Sequence, residues 1–147
     1  MEKSLILLKP DSIQRSLVGP IISKIEQKGI KIVGIRMLQV DENLAKQHYH
    51  IHEGKPFFTN LIEFITSAPI IAIVFEAPNC VSQIRSIVGA TDPSEANPGT
   101  IRGDLASTID ANLIHASDSI ESAKYESELF FPNNEIFDYQ KDIEKWL

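Results

Sequence analysis

A histidine close to a predicted helix start is the residue of this sequence that is best placed to react with phosphate. His115 ends the apolar stretch Leu113–Ile114 and precedes small polar residues that are typical of a helix start. Free backbone N–H groups and the helix dipole make such a junction a site where phosphate binds readily. Because an ordinary imidazole is largely neutral at pH 7, His115 is a candidate nucleophile or base. Glu126 falls on the following helix, from which it could orient the ring. The alternative is a structural histidine, hydrogen-bonded at a strand end.

Two arginines lie at the ends of a long irregular segment. Arg85 precedes the segment Gly89–Gly103, which contains Thr91, and Arg102 lies at its end. Two converging guanidinium groups suit a polyphosphate, since each makes bidentate charge-assisted hydrogen bonds. Solvated surface arginines are the alternative. Irregular segments of this length are uncommon in compact domains and often functional. The chain has no P-loop or dinucleotide-binding glycine motif, so these residues indicate only a phosphate site around His115.

The other three histidines, His48, His50 and His52, alternate along the chain. On a strand they would share one face and could bind zinc, whereas a helix would align His48 with His52. The segment follows a helical pattern and precedes the turn residues Glu53–Pro56. This context favours a polar surface or a helix end over a zinc site.

Alternating strand and helix patterns decide where these residues lie. Strands are predicted at Leu5–Leu8, Ile30–Val40, Ile70–Phe75 and Leu113–Ile114. Helices are predicted near 18–25, 41–47, 56–65, 79–88 and 118–129, with Asp41, Asn79 and Asp118 as N-caps. This order predicts an α+β ferredoxin-like sandwich, a four-stranded antiparallel sheet covered by helices with an extended phosphate-binding loop. Element order alone also allows a small doubly wound sheet. The tail from Pro132 has Phe137, Tyr139, Ile143 and Trp146 available to dock it onto the body.

Composition limits the class of protein. A chain of 147 residues fits one domain, residues 1–147. The net charge of −6 argues against a general binder of nucleic acid or anionic membranes. No apolar run approaches the roughly 20 residues that span a bilayer, and the run at Leu5–Leu8 is too short for a signal-peptide core. The lone Cys80 fits a reducing compartment, so a cytoplasmic location is expected.

Four segments of the chain resemble the nucleoside diphosphate kinases, in order and over nearly the whole length. They are Lys9-Pro10-Asp11, His48-Tyr49 followed by Pro56-Phe57-Phe58, Gly89-Ala90-Thr91 through Pro98 to Asp104, and Asn112-Leu113-Ile114-His115 with Ser117-Asp118-Ser119. As a set they are highly specific to that family.

The resemblance implies an enzyme that transfers the γ-phosphoryl group from a nucleoside triphosphate, usually ATP, to a ribo- or deoxyribonucleoside diphosphate. It implies a ping-pong mechanism through a phosphohistidine on His115, which Ser117 and Glu126 would position, with Lys9 adding positive charge. The implied nucleotide contacts are Lys9, Tyr49, Phe57, Arg85, Thr91, Arg102 and Asn112, with Phe57 stacking on the base. Mg²⁺ would enter on the nucleotide phosphates. The family also implies a homo-oligomer, a tetramer or hexamer, to which the long loop and the tail would contribute.

The chain departs from the family pattern at several positions, and two other classes of protein remain as alternatives. Ala116, Ser12 and Ser16 stand where glycine is common, and a residue that needs a positive φ would be strained there. Asp110-Ala111 adds negative charge near the site. A ligand- or RNA-binding module is opposed by the charge of −6 and the lack of an aromatic-basic run. A regulatory protein that only keeps the scaffold is opposed by the presence of the cationic residues and His115.

Overall fold

A single antiparallel sheet organises the chain, and the computed structural model describes all 147 residues. Its strands are β1 Glu2–Leu8, β2 Lys31–Leu38, β3 Ile70–Ala77 and β4 Ile114–Ala116. They lie in the order β2-β3-β1-β4, and each neighbouring pair is antiparallel. The predicted four-stranded α+β sandwich is confirmed. The doubly wound alternative is wrong, because that fold has a mostly parallel sheet.

Seven helices connect and cover the strands. They are α1 Pro10–Gln14, α2 Val18–Glu26, α3 Glu42–His48, α4 Phe58–Thr66, α5 Cys80–Val88, α6 Ile101–Leu105 and α7 Ile120–Phe130. Short 3₁₀ turns lie at His50–His52, Pro93–Glu95 and Asp142–Trp146. None of the helices has the length and apolar character needed to cross a bilayer.

The central strand β1 separates two hydrophobic cores. Successive side chains of a strand point to opposite faces, so Ile6 and Leu8 pack with α2 and α5, while Leu5 and Leu7 pack with α3, α4 and the end of α7. All four side chains are fully buried. This burial on both faces explains the continuous apolar run, and it fixes the strand whose end carries Lys9.

Two of the three predicted helix caps differ from the structure. Asp41 caps α3 as predicted, since its carboxylate accepts a backbone N–H of the first turn at 2.8 Å. Asp118 does not cap α7; Ser119 does, and Asp118 instead accepts a hydrogen bond from the Ser122 hydroxyl at 2.6 Å. Asn79 stands at the N-cap position of α5 in a left-handed conformation, φ +51°, with no side-chain cap bond. Neighbouring polar residues compete for one cap, and the sequence does not rank them.

The segment before β4 is irregular where a strand was expected. Leu113 is buried with φ +73°, a left-handed conformation that is unusual for a large side chain. Its carbonyl accepts the Lys9 N–H at 2.9 Å, and its N–H donates to the Asp11 carboxylate at 3.0 Å. These contacts hold a strained turn directly before His115. The long irregular segment is also shorter than predicted, because α6 begins at Ile101.

The tail docks through its backbone and through the side chain of Tyr139, one of the four residues predicted to dock it. Phe137 and Trp146 are 69% and 79% exposed, so the expectation that their side chains dock the tail is wrong. Instead, the Phe137 N–H donates to the Val33 carbonyl at 2.8 Å, and the Tyr139 hydroxyl donates to the Ile32 carbonyl. The tail thus runs beside β2.

Candidate active site

His115 lies in the middle of the short strand β4, where it pairs with Leu7 of β1. Its Nε2 is hydrogen-bonded to Oε2 of Glu126, which reaches back from the second turn of α7. The His115 side chain is 24% exposed and the Glu126 side chain 8%. No hydrogen bond involves His115 Nδ1, so one ring nitrogen is held and the other is free. The predicted helix start is displaced, because α7 begins at Ile120.

The charges around this pair favour a neutral imidazole. Burial lowers the pKa of His115, and the positive charges of Lys9, Arg102 and Arg85 lower it further. Burial raises the pKa of Glu126 to about 7, against the opposing effect of the neighbouring His48. The His115 imidazole therefore stays neutral at pH 7 beside these positively charged side chains.

Arg102 connects three carbonyls of the segments that surround the site. Its guanidinium donates to the carbonyls of Ile114 at 2.5 Å, Gly89 at 3.1 Å and Asn112 at 3.3 Å. Burial and the neighbouring Arg85 lower the pKa of Arg102 to about 10, so it stays charged at pH 7. A guanidinium has five N–H donors, and these three bonds leave two for a ligand.

Lys9, Asn112 and Thr91 form a second link between distant parts of the chain. Lys9 Nζ donates to Asn112 Oδ1 at 2.9 Å, and Asn112 Nδ2 donates to the Thr91 carbonyl at 3.0 Å. Burial and the Arg102 charge lower the pKa of Lys9 to about 8. An ammonium has three donors, so two remain available to an anion.

Arg85 and Ser117 approach the site from either side of β4. Arg85, exposed on α5, donates through Nη1 to the Ala116 carbonyl at 3.3 Å. Ser117 is fully buried; its hydroxyl donates to the Leu5 carbonyl at 3.2 Å and accepts the Leu5 N–H at 3.3 Å. Ser117 thus ties the end of β4 to β1.

Two aromatic residues lie on the α3–α4 connection. Tyr49 is the C-cap residue directly after α3 and is buried. This burial raises the pKa of its phenol far above the usual value. Phe57 precedes α4 and is 45% exposed, with its ring 5.3 Å from that of His52. An exposed ring held by its neighbours can stack on another planar group.

The sequence did not predict that His48 is buried beside His115. It ends α3 with its ring 4.6 Å from that of His115, edge to face, and its Nδ1 lies 3.9 Å from Glu126 Oε2. Neither His48 nitrogen has a hydrogen-bond partner. His50 and His52 leave α3 in a 3₁₀ turn, so the hypothesis of a zinc site made by all three histidines is wrong. The available signal was the spacing of three between Ala45 and His48, which puts both on the buried helix face.

Comparison with known proteins identifies the family. The family model described as nucleoside diphosphate kinase matches residues 2–136. A relative named nucleoside diphosphate kinase from Roseiflexus castenholzii is 53% identical over 147 residues, which cover 100% of this chain and 99% of the relative. The chain belongs to the nucleoside diphosphate kinase family. A nucleoside diphosphate kinase of the same name from Staphylococcus epidermidis is also 53% identical, with the same coverage of both chains.

Solved structures of nucleoside diphosphate kinases share the fold. The halophilic nucleoside diphosphate kinase from Halobacterium salinarum in complex with CDP superposes with a TM-score of 0.96 at 44% identity, covering 99% of this chain and 97% of that one. A nucleoside diphosphate kinase family protein from Babesia bovis has the same TM-score at 36% identity, with 99% of each chain covered. The protein is accordingly an enzyme that transfers the γ-phosphoryl group from a nucleoside triphosphate to a nucleoside diphosphate through a phosphohistidine. Enzymes of this family use a divalent cation.

The departures from the nucleoside diphosphate kinase pattern differ in their structural effect. Ala116 is not among the four non-glycine residues with positive φ, so the replaced glycine leaves no strain there. Ser16 does adopt a positive φ, +58°. Ser12 is buried, and its hydroxyl donates to the Lys9 carbonyl at 2.7 Å. Asp110 is exposed.

Proposed function

We propose that His115 is the residue that carries the phosphoryl group, and that Nδ1 is the attacking atom. The observation that supports this proposal is the division of roles between the two ring nitrogens. Glu126 holds Nε2, while Nδ1 has no partner and the ring is partly exposed. A proton on Nε2, donated to the Glu126 carboxylate, leaves the lone pair on Nδ1.

The reaction then proceeds in two balanced steps at this nitrogen. The Nδ1 lone pair forms a bond to the γ-phosphorus of the nucleoside triphosphate, while the bond from that phosphorus to the bridging oxygen breaks and the diphosphate leaves with the electron pair. A terminal oxygen of a second diphosphate then attacks the same phosphorus, and the P–N bond breaks back to Nδ1. One site serves both nucleotides in turn, so no pocket for two nucleotides is needed.

Lys9, Arg85 and Arg102 supply the positive field for the moving group. Phosphoryl transfer depends on positioning and charge stabilisation more than on covalent help from the protein. The unused donors of Lys9 and Arg102 are available for phosphate oxygens, and Arg85 is exposed beside them. Asn112 and Thr91, which tie Lys9 to the long loop, position the phosphates in this proposal.

Phe57 provides the surface for the base, with Tyr49 beside it on the α3–α4 connection. Any nucleotide base can stack on the Phe57 ring, because every base has a π-face. The Halobacterium salinarum relative was solved with CDP, which supports nucleotide binding by this chain. Ribo- and deoxyribonucleotides both fit the proposal, since the phosphates and the base face are common to both.

Mg²⁺ is the divalent cation that we propose, and the donor set fits an ion carried by the nucleotide. Mg²⁺ prefers several oxygen ligands and retains waters. Each carboxylate near the site has a protein partner on at least one oxygen: Glu126 on His115, Asp118 on Ser122 and Asp11, through Oδ2, on Leu113. On the nucleotide phosphates, Mg²⁺ would neutralise part of their charge, while the protein holds it through those phosphates.

Residues 1–147 act as one domain in this proposal, in a cytoplasmic homo-oligomer. The buried free thiol of Cys80 is compatible with a reducing compartment. Exposed apolar residues on the edge strand β2, Ile35 and Met37, support self-association into a tetramer or hexamer.

Phosphoenzyme labelling tests the assignment of His115. Incubation with γ-labelled ATP and Mg²⁺ should label the protein on a base-stable, acid-labile site. His115→Ala should abolish the label, because the neighbouring imidazole of His48 is buried whereas that of His115 is partly exposed. His50→Ala, which removes an exposed histidine, is the matched control and should label normally. Label retained by His115→Ala would assign the nucleophile elsewhere.

A further inference from the structure

The buried cluster of His48, His115 and Glu126 has one chemical property that phosphoryl transfer does not use. One donor atom from each residue lies within 4.8 Å of the other two. His48 is 7% exposed, and both its ring nitrogens lack a partner. An unpaired polar group in a protein interior is costly. The orphaned ring therefore points to a ligand that the cluster can take up.

We propose that this cluster binds Zn²⁺, and that zinc and the phosphoryl group exclude each other on His115. Two imidazoles and one carboxylate form a ligand set that zinc uses where a fourth position stays open. Imidazole selects zinc over Mg²⁺, which requires oxygen ligands and keeps its waters. The Mg²⁺ that enters with the nucleotide is thus not a competitor at this site.

The spacing of the ligand atoms is near to that of a zinc site. His48 Nδ1 and Glu126 Oε2 are 3.9 Å apart. Tetrahedral bonds of about 2.0–2.2 Å place ligand atoms roughly 3.3–3.5 Å from one another. His48 must therefore approach by about half an ångström, and Glu126 must give up its hydrogen bond with His115.

The site of coordination explains why zinc would inhibit the enzyme. Zinc would take the Nε2 atom of His115, the nitrogen that now faces Glu126. A neutral imidazole keeps one proton, so coordination at Nε2 puts that proton on Nδ1. Nδ1 then has no lone pair with which to attack phosphorus. Zinc would block phosphorylation from behind the ring, and the nucleotide-binding side chains would stay free. This consequence rests on the proposed function of His115, whereas zinc binding itself does not.

Binding is tested on the folded, nucleotide-free protein with Co²⁺ as the spectroscopic probe and Zn²⁺ as the competitor. One equivalent of Co²⁺ should give the strong visible absorption of a tetrahedral site, which Zn²⁺ removes. His48→Gln and Glu126→Gln should each weaken binding by at least about tenfold, the smallest loss seen even for outer partners of metal ligands. His50→Gln, on the same segment, is the matched control and should bind as the wild type does. Equal affinity in His48→Gln would overturn the proposal.

Histidine nitrogen NMR on the wild-type protein gives a result that does not depend on any variant folding. Zinc should shift the nitrogen signals of two histidines, His48 and His115, and leave those of His50 and His52 in place. Shifts confined to His50 and His52 would contradict the proposed site.

Inhibition is tested separately by phosphoenzyme formation from ATP and Mg²⁺ at buffered free zinc. Each variant is compared with its own zinc-free rate, and His48→Gln should need at least about tenfold more zinc for half inhibition. If zinc binds at the tetrahedral site and phosphoenzyme still forms at the zinc-free rate, the proposal that zinc and the phosphoryl group exclude each other is refuted. Failure of the zinc-free protein to label His115 would instead refute the proposed function.

Discussion

A single tautomer at His115 is the central chemical requirement of the proposed mechanism. In this mechanism the buried carboxylate of Glu126 selects the tautomer, because it accepts a hydrogen bond from the protonated Nε2. The cationic residues contribute differently, since they lower the pKa of the ring and attract the phosphates. Orientation and charge are thus supplied by different side chains.

Lys9 makes the activity sensitive to alkaline pH. Its folded pKa of about 8 means that it is charged below that pH and neutral above it. We expect kcat/KM, which reports the free enzyme, to fall as pH rises through about 8. A profile between pH 6 and 10 measures this. Lys9→Met should have a lower kcat/KM that no longer falls with rising pH. An equal fall in Lys9→Met would show that another group is responsible for the pH dependence.

Phe57 is expected to contribute to the binding of every nucleotide. Base stacking on an aromatic ring is worth about 1–3 kcal/mol, so Phe57→Ala should raise KM roughly five- to 150-fold. Steady-state KM values for adenine, guanine and cytosine diphosphates measure the effect. Phe137→Ala removes an exposed ring elsewhere and should change nothing. An increase confined to purines would contradict sequence-tolerant stacking.

At the scale of elements, the site depends on a strained turn between α6 and β4. Leu113 stays left-handed because Lys9, which follows β1, and Asp11, in α1, hold its carbonyl and its N–H. Arg102 holds the carbonyls on both sides of it. Strained backbone persists where the surroundings over-determine it, and here it sets where β4 begins.

Asp11→Ala should therefore destabilise the protein and slow the reaction. It leaves the buried Leu113 N–H without an acceptor, at a cost of about 1–3 kcal/mol in the free energy of unfolding. Urea denaturation measures the loss, and kcat should fall because His115 follows two residues later. Asp11→Asn keeps an acceptor oxygen of the same shape and should recover most of both losses. Equal stability of Asp11→Ala and the wild type would show that this hydrogen bond does not hold the turn.

At the scale of the whole molecule, β2 is an edge strand of the sheet, and the tail contacts it at Ile32 and Val33. Ile35 and Met37, two residues apart and hence on one face, are 56% and 61% exposed. An apolar edge strand with unpaired backbone groups is a surface for pairing with another chain. The tail runs beside β2 and leaves Phe137 exposed as well.

Met37→Lys should reduce the oligomeric mass. A charge on this edge opposes pairing, and light scattering of the purified protein would measure the change. Ile120→Lys puts the same charge at another exposed apolar residue, at the start of α7, and should leave the mass unchanged. A wild-type mass of one chain, or a Met37→Lys mass equal to that of the wild type, would contradict assembly through β2.

The sequence by itself determined the properties that depend on local patterns. Apolar periodicity predicted the strands and helices, and it put Glu126 on the helix that follows His115, from which its carboxylate contacts the ring. These predictions succeed because alternation and helical spacing act over a few residues. The sequence predicted the ends of the helices less well. It indicated Asp118 as the N-cap of α7, whereas Ser119 caps that helix in the structure.

Only the tertiary structure decided the burial of His48 and the strain at Leu113. His48 is close to His115 because α3 and α7 pack on the same face of the sheet, and local spacing says little about which helices meet. Leu113 is left-handed because Lys9, Asp11 and Arg102, distant in sequence, bind its backbone and that of its neighbours. Contacts over such separations follow from how the sheet orders its strands, and they position both the proposed nucleophile His115 and the cluster behind it.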